Sequence, residues 1–135
     1  MSMSDEVRAL LAGRAFAHLA TILPDGAPHS VPVWIDVDEN DRLVMFTQTG
    51  SRKARNIERD GRVAISAVDI DDPYRQCDLR GRVVGRIDGE RALAIADALS
   101  VKYTGTAFPW RSPHTVVYAI AVDRSHHTEL PFTHS

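Results

Sequence analysis

The stretch "TQTGSRKARNIERD", residues 47–60, is a loop of small polar residues followed at once by a sequence typical of a short helix. Arg52, Lys53 and Arg55 fall at the start of that helix. The helix dipole places about half a positive charge there, so each cation is disfavoured by roughly 0.3–1 kcal/mol unless an anion lies beside it. The stretch therefore predicts either an anion-binding site or a basic surface turn balanced by the acidic residues that follow.

A phosphate is the anion that this stretch would suit. Backbone amides at a helix N-terminus, the hydroxyls of Thr47 and Ser51, and the three cations could converge on one phosphate group. Asn56, on the same helix, could contribute a side-chain amide. The loop lacks the glycines of GxxxxGK[ST], and no GxGxxG follows a strand, which excludes a P-loop and a Rossmann site.

Length and composition narrow the class of protein. A chain of 135 residues is predicted to form one domain, residues 1–135, without a separate cofactor domain, so a large ligand must lie in a surface groove or between subunits. The net charge of −2 argues against general nucleic-acid binding. No secretion signal or apolar run of about 18 residues is present, which predicts a cytoplasmic protein without a membrane segment. The single cysteine, Cys77, excludes an internal disulfide, and no metal site is predicted.

The pattern around the opening stretch is mainly β. Ser4 can cap a leading helix within residues 1–14, and "LPDGA", residues 23–27, predicts a hairpin turn. A helix is predicted after Gly89 from its 3.6-residue apolar spacing, and residues 123–135 read as a polar tail. Six β-rich runs indicate a small six-stranded antiparallel barrel with short flanking helices: residues 15–22, 28–37, 42–48, 62–68, 74–87 and 115–122.

Three segments together resemble a known superfamily. They are "HLATILPDGAPHSVPVWIDVD", "SRKARNIERDGRVAISAVD" and "PYRQCDLRGRVV", within a similarity that runs from Ala15 to Val122. The sequence resembles the split β-barrel superfamily of pyridoxamine 5'-phosphate oxidase-like flavin and deazaflavin oxidoreductases. Within that superfamily it is most similar to the actinobacterial branch that uses the deazaflavin coenzyme F420.

The resemblance implies a homodimer with two cofactors in grooves at the dimer interface. It implies that a phosphate-binding group of residues holds the cofactor, that a second group lines its ring system, and that two loop residues close the groove. By this resemblance, the phosphate-binding residues are Ser51, Arg52, Lys53, Asn56 and Arg55. The residues that line the ring system are Pro32, Val33, Trp34, Val44, Phe46 and Thr47. The loop residues that close the groove are Tyr74 and Trp110.

The activity implied by the resemblance is transfer of a hydride from reduced F420 to an unsaturated small molecule. His29 is the candidate proton donor, because an imidazole exchanges protons near neutral pH. Two alternatives stay open: an FMN-dependent oxidoreductase, and a protein that binds a flavin or deazaflavin without catalysis. Pyridoxamine phosphate oxidation itself is disfavoured, since the chain is short and lacks the arginine- and tryptophan-bearing C-terminal segment of those enzymes.

Overall fold

The computed structural model describes residues 3–133, which form three helices and seven strands around one sheet. Every pairing in the sheet is antiparallel. The elements in chain order are α1 Asp5–Ala12, β1 Ala15–Ile22, β2 Pro28–Val33, β3 Asp36–Val37, β4 Leu43–Gln48, α2 Arg52–Arg59, β5 Arg62–Asp69, β6 Arg75–Ile87, α3 Gly89–Thr104 and β7 Thr115–Glu129.

The sheet has the strand order β2-β1-β5-β6-β7-β4-β3, so its two edge strands are neighbours in sequence. Only Trp34 and Ile35 separate β2 from β3, which forces the two edges together and curls the sheet into a split barrel. The prediction of one strand over residues 28–37, and hence of six strands, was wrong in this respect. Ile35 is fully buried where the chain crosses between the edges, and the two halves of the run pair with different strands.

Two features of the sheet depend on glycine, and the first of them, the hairpin turn, confirms the prediction from the sequence. The hairpin turn between β1 and β2 closes through the amide of Gly26, which donates to the carbonyl of Leu23 over 2.9 Å. In β6 the register shifts between Arg80 and Gly81 and again between Val83 and Gly85. A Cβ on Gly81 would lie 2.3 Å from the carbonyl oxygen of Ala121, so only glycine allows β6 and β7 to approach this closely.

The last strand is longer than the apolar pattern indicated. Residues 123–135 were predicted as a polar tail, but β7 continues to Glu129 and pairs with β6 as far as Arg75. Polar side chains suit this part of β7 because it contributes to the exposed face of the sheet. Residues 134–135 of that tail, and residues 1–2 of the leading segment, lie outside the described residues.

The helices cover the barrel and its core. The hydroxyl of Ser4 accepts a hydrogen bond from the amide of Val7, which confirms the predicted cap of α1. Leu10 and Leu11 of α1 join the main core inside the barrel, while α3 covers a second, smaller apolar cluster on the outside of β4 and β7. Within residues 3–133, no helix combines the length and apolar character needed to cross a membrane.

Candidate functional site

The loop before α2 is ordered by its own hydroxyl groups. Ser51 is the N-cap of α2, and its Oγ accepts from the amide of Ala54 over 3.2 Å. The Oγ1 of Thr47, which is buried, lies 3.0 Å from the same Ser51 Oγ. Gly50 adopts a left-handed φ of 87°, which lets the chain turn from β4 into the helix. These contacts fix the direction in which the first turn of α2 presents its side chains.

The three cations of that turn have no carboxylate partner among residues 3–133. Arg52 and Arg55 are exposed, and Lys53 is half-buried. Burial lowers the pKa of Lys53 because the charged ammonium loses part of its hydration. The sequence prediction that these cations lie together at the start of a helix is therefore confirmed, and no carboxylate within the described residues, 3–133, offsets their charge.

Asn56 lies in the interior instead of on the surface of the groove. Its side chain is 0% exposed, and its Nδ2 donates to the Oγ1 of Thr21 on β1 over 3.0 Å. This contact attaches α2 to the barrel. The sequence could not show this, because Thr21 is 35 residues away in the chain.

The C-terminal turn of α2 is attached through Glu58. The Oε2 of Glu58 accepts from the hydroxyl of Tyr118 over 2.7 Å and from the Nη1 of Arg86 over 2.8 Å. Burial, together with the hydrogen bond to Glu58, raises the pKa of Tyr118. The guanidinium of Arg59 donates to the carbonyl of Ile22. The second half of the helix is thus bound to β1, β6 and β7.

A cavity of about 460 Å³ lies beside the first turn of α2, from which Lys53 contributes to the wall. Its surface is mainly apolar, and its volume is within the range of about 300–1,000 Å³ that is usual for small-molecule sites. The predicted residues Pro32, Val33, Trp34 and Phe46 line it together with Lys53. The remaining wall residues are Ala15, Phe16, Ala17, His18, Tyr103 and Phe108.

Aromatic side chains form one side of this cavity. Trp34 stacks on Tyr103 with ring centroids 5.5 Å apart and planes 8° from parallel. Phe46 meets Phe108 edge to face at 4.9 Å, and Phe108 meets Trp110 at 5.2 Å. Trp110 is 68% exposed, so it stands at the outer end of this series and not in the cavity wall itself.

Tyr103 is held in place by its hydroxyl group. The hydroxyl donates to the carbonyl of Ala15 over 2.9 Å and accepts from the amide of Ile35 over 3.4 Å. Burial raises the pKa of Tyr103, which keeps the phenol neutral. The neighbouring Lys102 donates to the carbonyls of Leu11 and Ile35. These hydrogen bonds attach the end of α3 to the segment between β2 and β3 that contains Trp34.

Several predicted residues lie away from the cavity. Val44 packs under α3 and lines a different cavity, and Tyr74, at the start of β6, contacts the ring of Phe132 at 5.3 Å. His29 pairs with Thr21 across the hairpin and does not line the cavity; its Nδ1 is buried and has no partner among residues 3–133. His29 is therefore not placed to exchange a proton with a ligand in this cavity.

The wall residues that were not predicted as site residues include Phe16, His18 and Tyr103. In "AFAHLATI" the alternation places Phe16 and His18 on the face opposite the buried residues, and Phe16 is 56% exposed. An exposed aromatic ring and an exposed histidine on one strand face were the available signal. Tyr103 lies near the end of α3, where its ring continues the apolar spacing that predicts the helix.

The residues present fit a cofactor that combines a planar ring system with a phosphate. The apolar, aromatic-lined cavity suits the rings, and the uncompensated cations suit the anion. Within the part of the chain that the structure describes, no three His, Cys, Asp or Glu side chains are grouped so that they could hold a metal ion.

Comparisons with known proteins show what this chain is similar to. The family model for pyridoxamine 5'-phosphate oxidase matches residues 3–129. An F420H(2)-dependent biliverdin reductase from Mycobacterium tuberculosis (strain CDC 1551 / Oshkosh) is 32% identical over 124 residues, which cover 90% of this chain and 85% of that protein.

Solved structures give the same fold. An F420 reductase superposes with a TM-score of 0.79 and 29% identity, covering 88% of this chain and 94% of its own. A conserved hypothetical protein from Mycobacterium tuberculosis superposes with a TM-score of 0.77 and 25% identity, covering 100% of this chain and 93% of its own.

Proposed function

Because this chain belongs to the pyridoxamine 5'-phosphate oxidase family, we propose that it is an F420-dependent reductase that acts on an unsaturated small molecule. The observation that carries the proposal is the position of three uncompensated cations beside an aromatic-lined cavity. The relatives that use F420 favour the deazaflavin over other cofactors of the family.

In this proposal the chain's own residues bind and orient the cofactor. Arg52, Lys53 and Arg55 bind its phosphate through charge-assisted hydrogen bonds, and the Ser51 cap holds their turn in place. Trp34, with the other apolar residues of the wall, lines the ring system and excludes water from it. When bound, reduced F420 supplies the hydride, so the protein contributes mainly orientation and a dry surface.

FMN is the second candidate cofactor, because the family includes flavin enzymes and the same cations would suit its phosphate. A third possibility is binding of either cofactor without reduction of an acceptor. Biliverdin is the first acceptor to test, since the mycobacterial relative is a biliverdin reductase.

We also propose that two copies of the chain form a homodimer that encloses the cofactor. The cavity is open to solvent on one side, and Trp110, 68% exposed, stands next to Phe108 of its wall. A second copy would cover this ring and close the groove. Sedimentation velocity should give twice the monomer mass; a monomer that binds F420 with full affinity would overturn the dimer proposal.

The test of the function is a titration of the purified, cofactor-free protein with F420 and, separately, with FMN, followed by ligand fluorescence. We expect tight binding of F420, weaker binding of FMN, and oxidation of reduced F420 when biliverdin or another unsaturated acceptor is added. Preference for FMN would favour the flavin enzyme. Binding of neither cofactor would refute the proposed function while leaving the family and fold unaffected.

A further inference from the structure

His18 stands where two cavities meet. It lies on β1 between Pro32 of β2 and Ser66 of β5, and its side chain is exposed. His18 and Phe16 line both the aromatic cavity and an adjoining cavity of about 340 Å³, whose wall is more polar. A ligand that extends from one cavity into the other would therefore pass over His18.

Three side chains in the wall of the aromatic cavity can carry a proton: His18, Lys53 and Tyr103. The hydroxyl of Tyr103 already donates to Ala15 and accepts from Ile35, and burial raises its pKa. Lys53 belongs to the cationic turn of α2. His18 forms no hydrogen bond or ion pair within residues 3–133, so its ring remains available to a ligand.

Ionisable groups also line the two cavities around His18. Asp78 of β6 lines the adjoining cavity, in the same row as His18 and Ser66, which places it about 10 Å away at the usual strand spacing. Cys77, also in that wall, is buried, and burial raises its pKa to about 11, so it stays neutral. Lys53, in the wall of the aromatic cavity, belongs to the turn assigned to the phosphate.

We propose that His18 is the catalytic residue that gives a proton to the acceptor, an inference that rests on the proposed function. A ring nitrogen of His18 protonates one atom of the acceptor's double bond, and the other atom receives the hydride. The double bond becomes a single bond, with both electrons taken from the reduced deazaflavin. Water then returns a proton to the exposed ring of His18.

The first experiment measures binding, not turnover. The histidine ring signals of the cofactor-free protein are followed by NMR while oxidised F420 is added. We expect the His18 signals to shift and the His126 signals to stay unchanged. His126 is the control because it faces the same side of the sheet but lies two strands away from Ser66. Shifts elsewhere in the protein with His18 unaffected would overturn this inference alone, whereas no shift anywhere would overturn the proposed function and this inference with it.

The second experiment compares pH profiles of biliverdin reduction for the wild type and three variants. His18→Gln should lose about 100-fold in rate, retain F420 affinity within a few-fold, and lose the decrease in rate that the wild type should show as the pH rises. His126→Gln is the matched control and should keep the wild-type profile. A wild-type profile in His18→Gln, or loss of the alkaline decrease in His29→Gln instead, would show that His18 is not the donor.

Discussion

The two ends of α2 contain similar charges in opposite situations. At the C-terminal end, Glu58 is bound by Tyr118 and Arg86, and Arg59 donates to a backbone carbonyl. At the N-terminal end, three cations stand at the unfavourable pole of the helix without a carboxylate among residues 3–133. Elsewhere in the described residues, several arginines form an ion pair with a carboxylate, as in Arg62–Asp60, Arg75–Asp69 and Arg111–Asp97.

The difference shows how one short helix serves two purposes. An eight-residue helix is not stable alone, so its second half must be attached to the sheet to hold its first half in position. The attached end contributes to folding and the unpaired end contributes to ligand binding. Substitutions at the two ends should therefore separate stability from cofactor affinity.

Asn56→Ala should have the largest effect, on stability. The substitution removes a fully buried amide and leaves the Thr21 hydroxyl without its partner, which should cost about 1–3 kcal/mol of the free energy of unfolding. Chemical denaturation of the cofactor-free protein measures this loss. Arg55→Ala, an exposed residue on the same helix, is the control and should change stability by less than about 0.5 kcal/mol.

The opposite result for Asn56 would also be informative. A variant as stable as the wild type but unable to bind F420 would place the amide on the ligand, as the family resemblance implies. That result would contradict the buried position described for Asn56.

Lys53→Gln should separate the two properties most clearly. Loss of a charge-assisted phosphate contact should weaken F420 binding by about 1.5–3 kcal/mol, or roughly 10- to 100-fold. The free protein should be as stable as the wild type or more stable by about 0.3–1 kcal/mol, because a cation leaves the positive pole of the helix. Fluorescence titration and chemical denaturation give the two values.

Arg91→Gln is the matched control for Lys53→Gln. Arg91 is likewise a cation in the first turn of a helix, α3, but it is exposed and lines a different cavity. It should leave F420 affinity unchanged. Equal loss of affinity in both variants would mean that net charge, and not the turn of α2, attracts the cofactor.

This comparison also explains what the sequence could predict. The cations of α2 and the position of the helix after a strand are local features, and both were predicted from the sequence around residues 47–60. The partners of its other end lie 35, 60 and 28 residues away, for Thr21, Tyr118 and Arg86 respectively. Such contacts depend on strand register, which local patterns do not specify.

Strand register also explains why His18 lines the cavity and the predicted His29 does not. Both histidines lie on predicted strands, and alternation assigns each to one of two faces, but it does not show which face borders the cavity. The break between β2 and β3 at Trp34 and Ile35 was missed for the same reason. The apolar pattern continues through these two residues, and only the closure of the barrel divides the run into two strands.

Tyr118→Phe should have a smaller effect at the attached end. The ring keeps its packing, while the hydrogen bond to Glu58 is lost, which should cost about 0.5–1.5 kcal/mol of the free energy of unfolding. Arg86 still holds Glu58, so F420 affinity should change by less than about threefold. A double-mutant cycle with Glu58→Gln measures the coupling; additive effects would show that this contact does not attach the helix.

The smallest effect concerns pH and follows from the lowered pKa of Lys53. Because folding lowers this pKa from the ordinary lysine value of 10.5, the unfolded chain binds more protons between the two values, and stability should rise with pH in that window. A bound phosphate favours the ammonium, so F420 affinity should instead be highest below the pKa of Lys53 in the free protein and fall as the pH increases through it. Burial also lowers the pKa of Lys102. Lys102 is present in both the wild type and Lys53→Gln, so its contribution cancels in the difference between their two pH curves. Identical curves for the two proteins would mean that Lys53 does not face the anion, and the unpaired end of α2 would then be a basic surface turn.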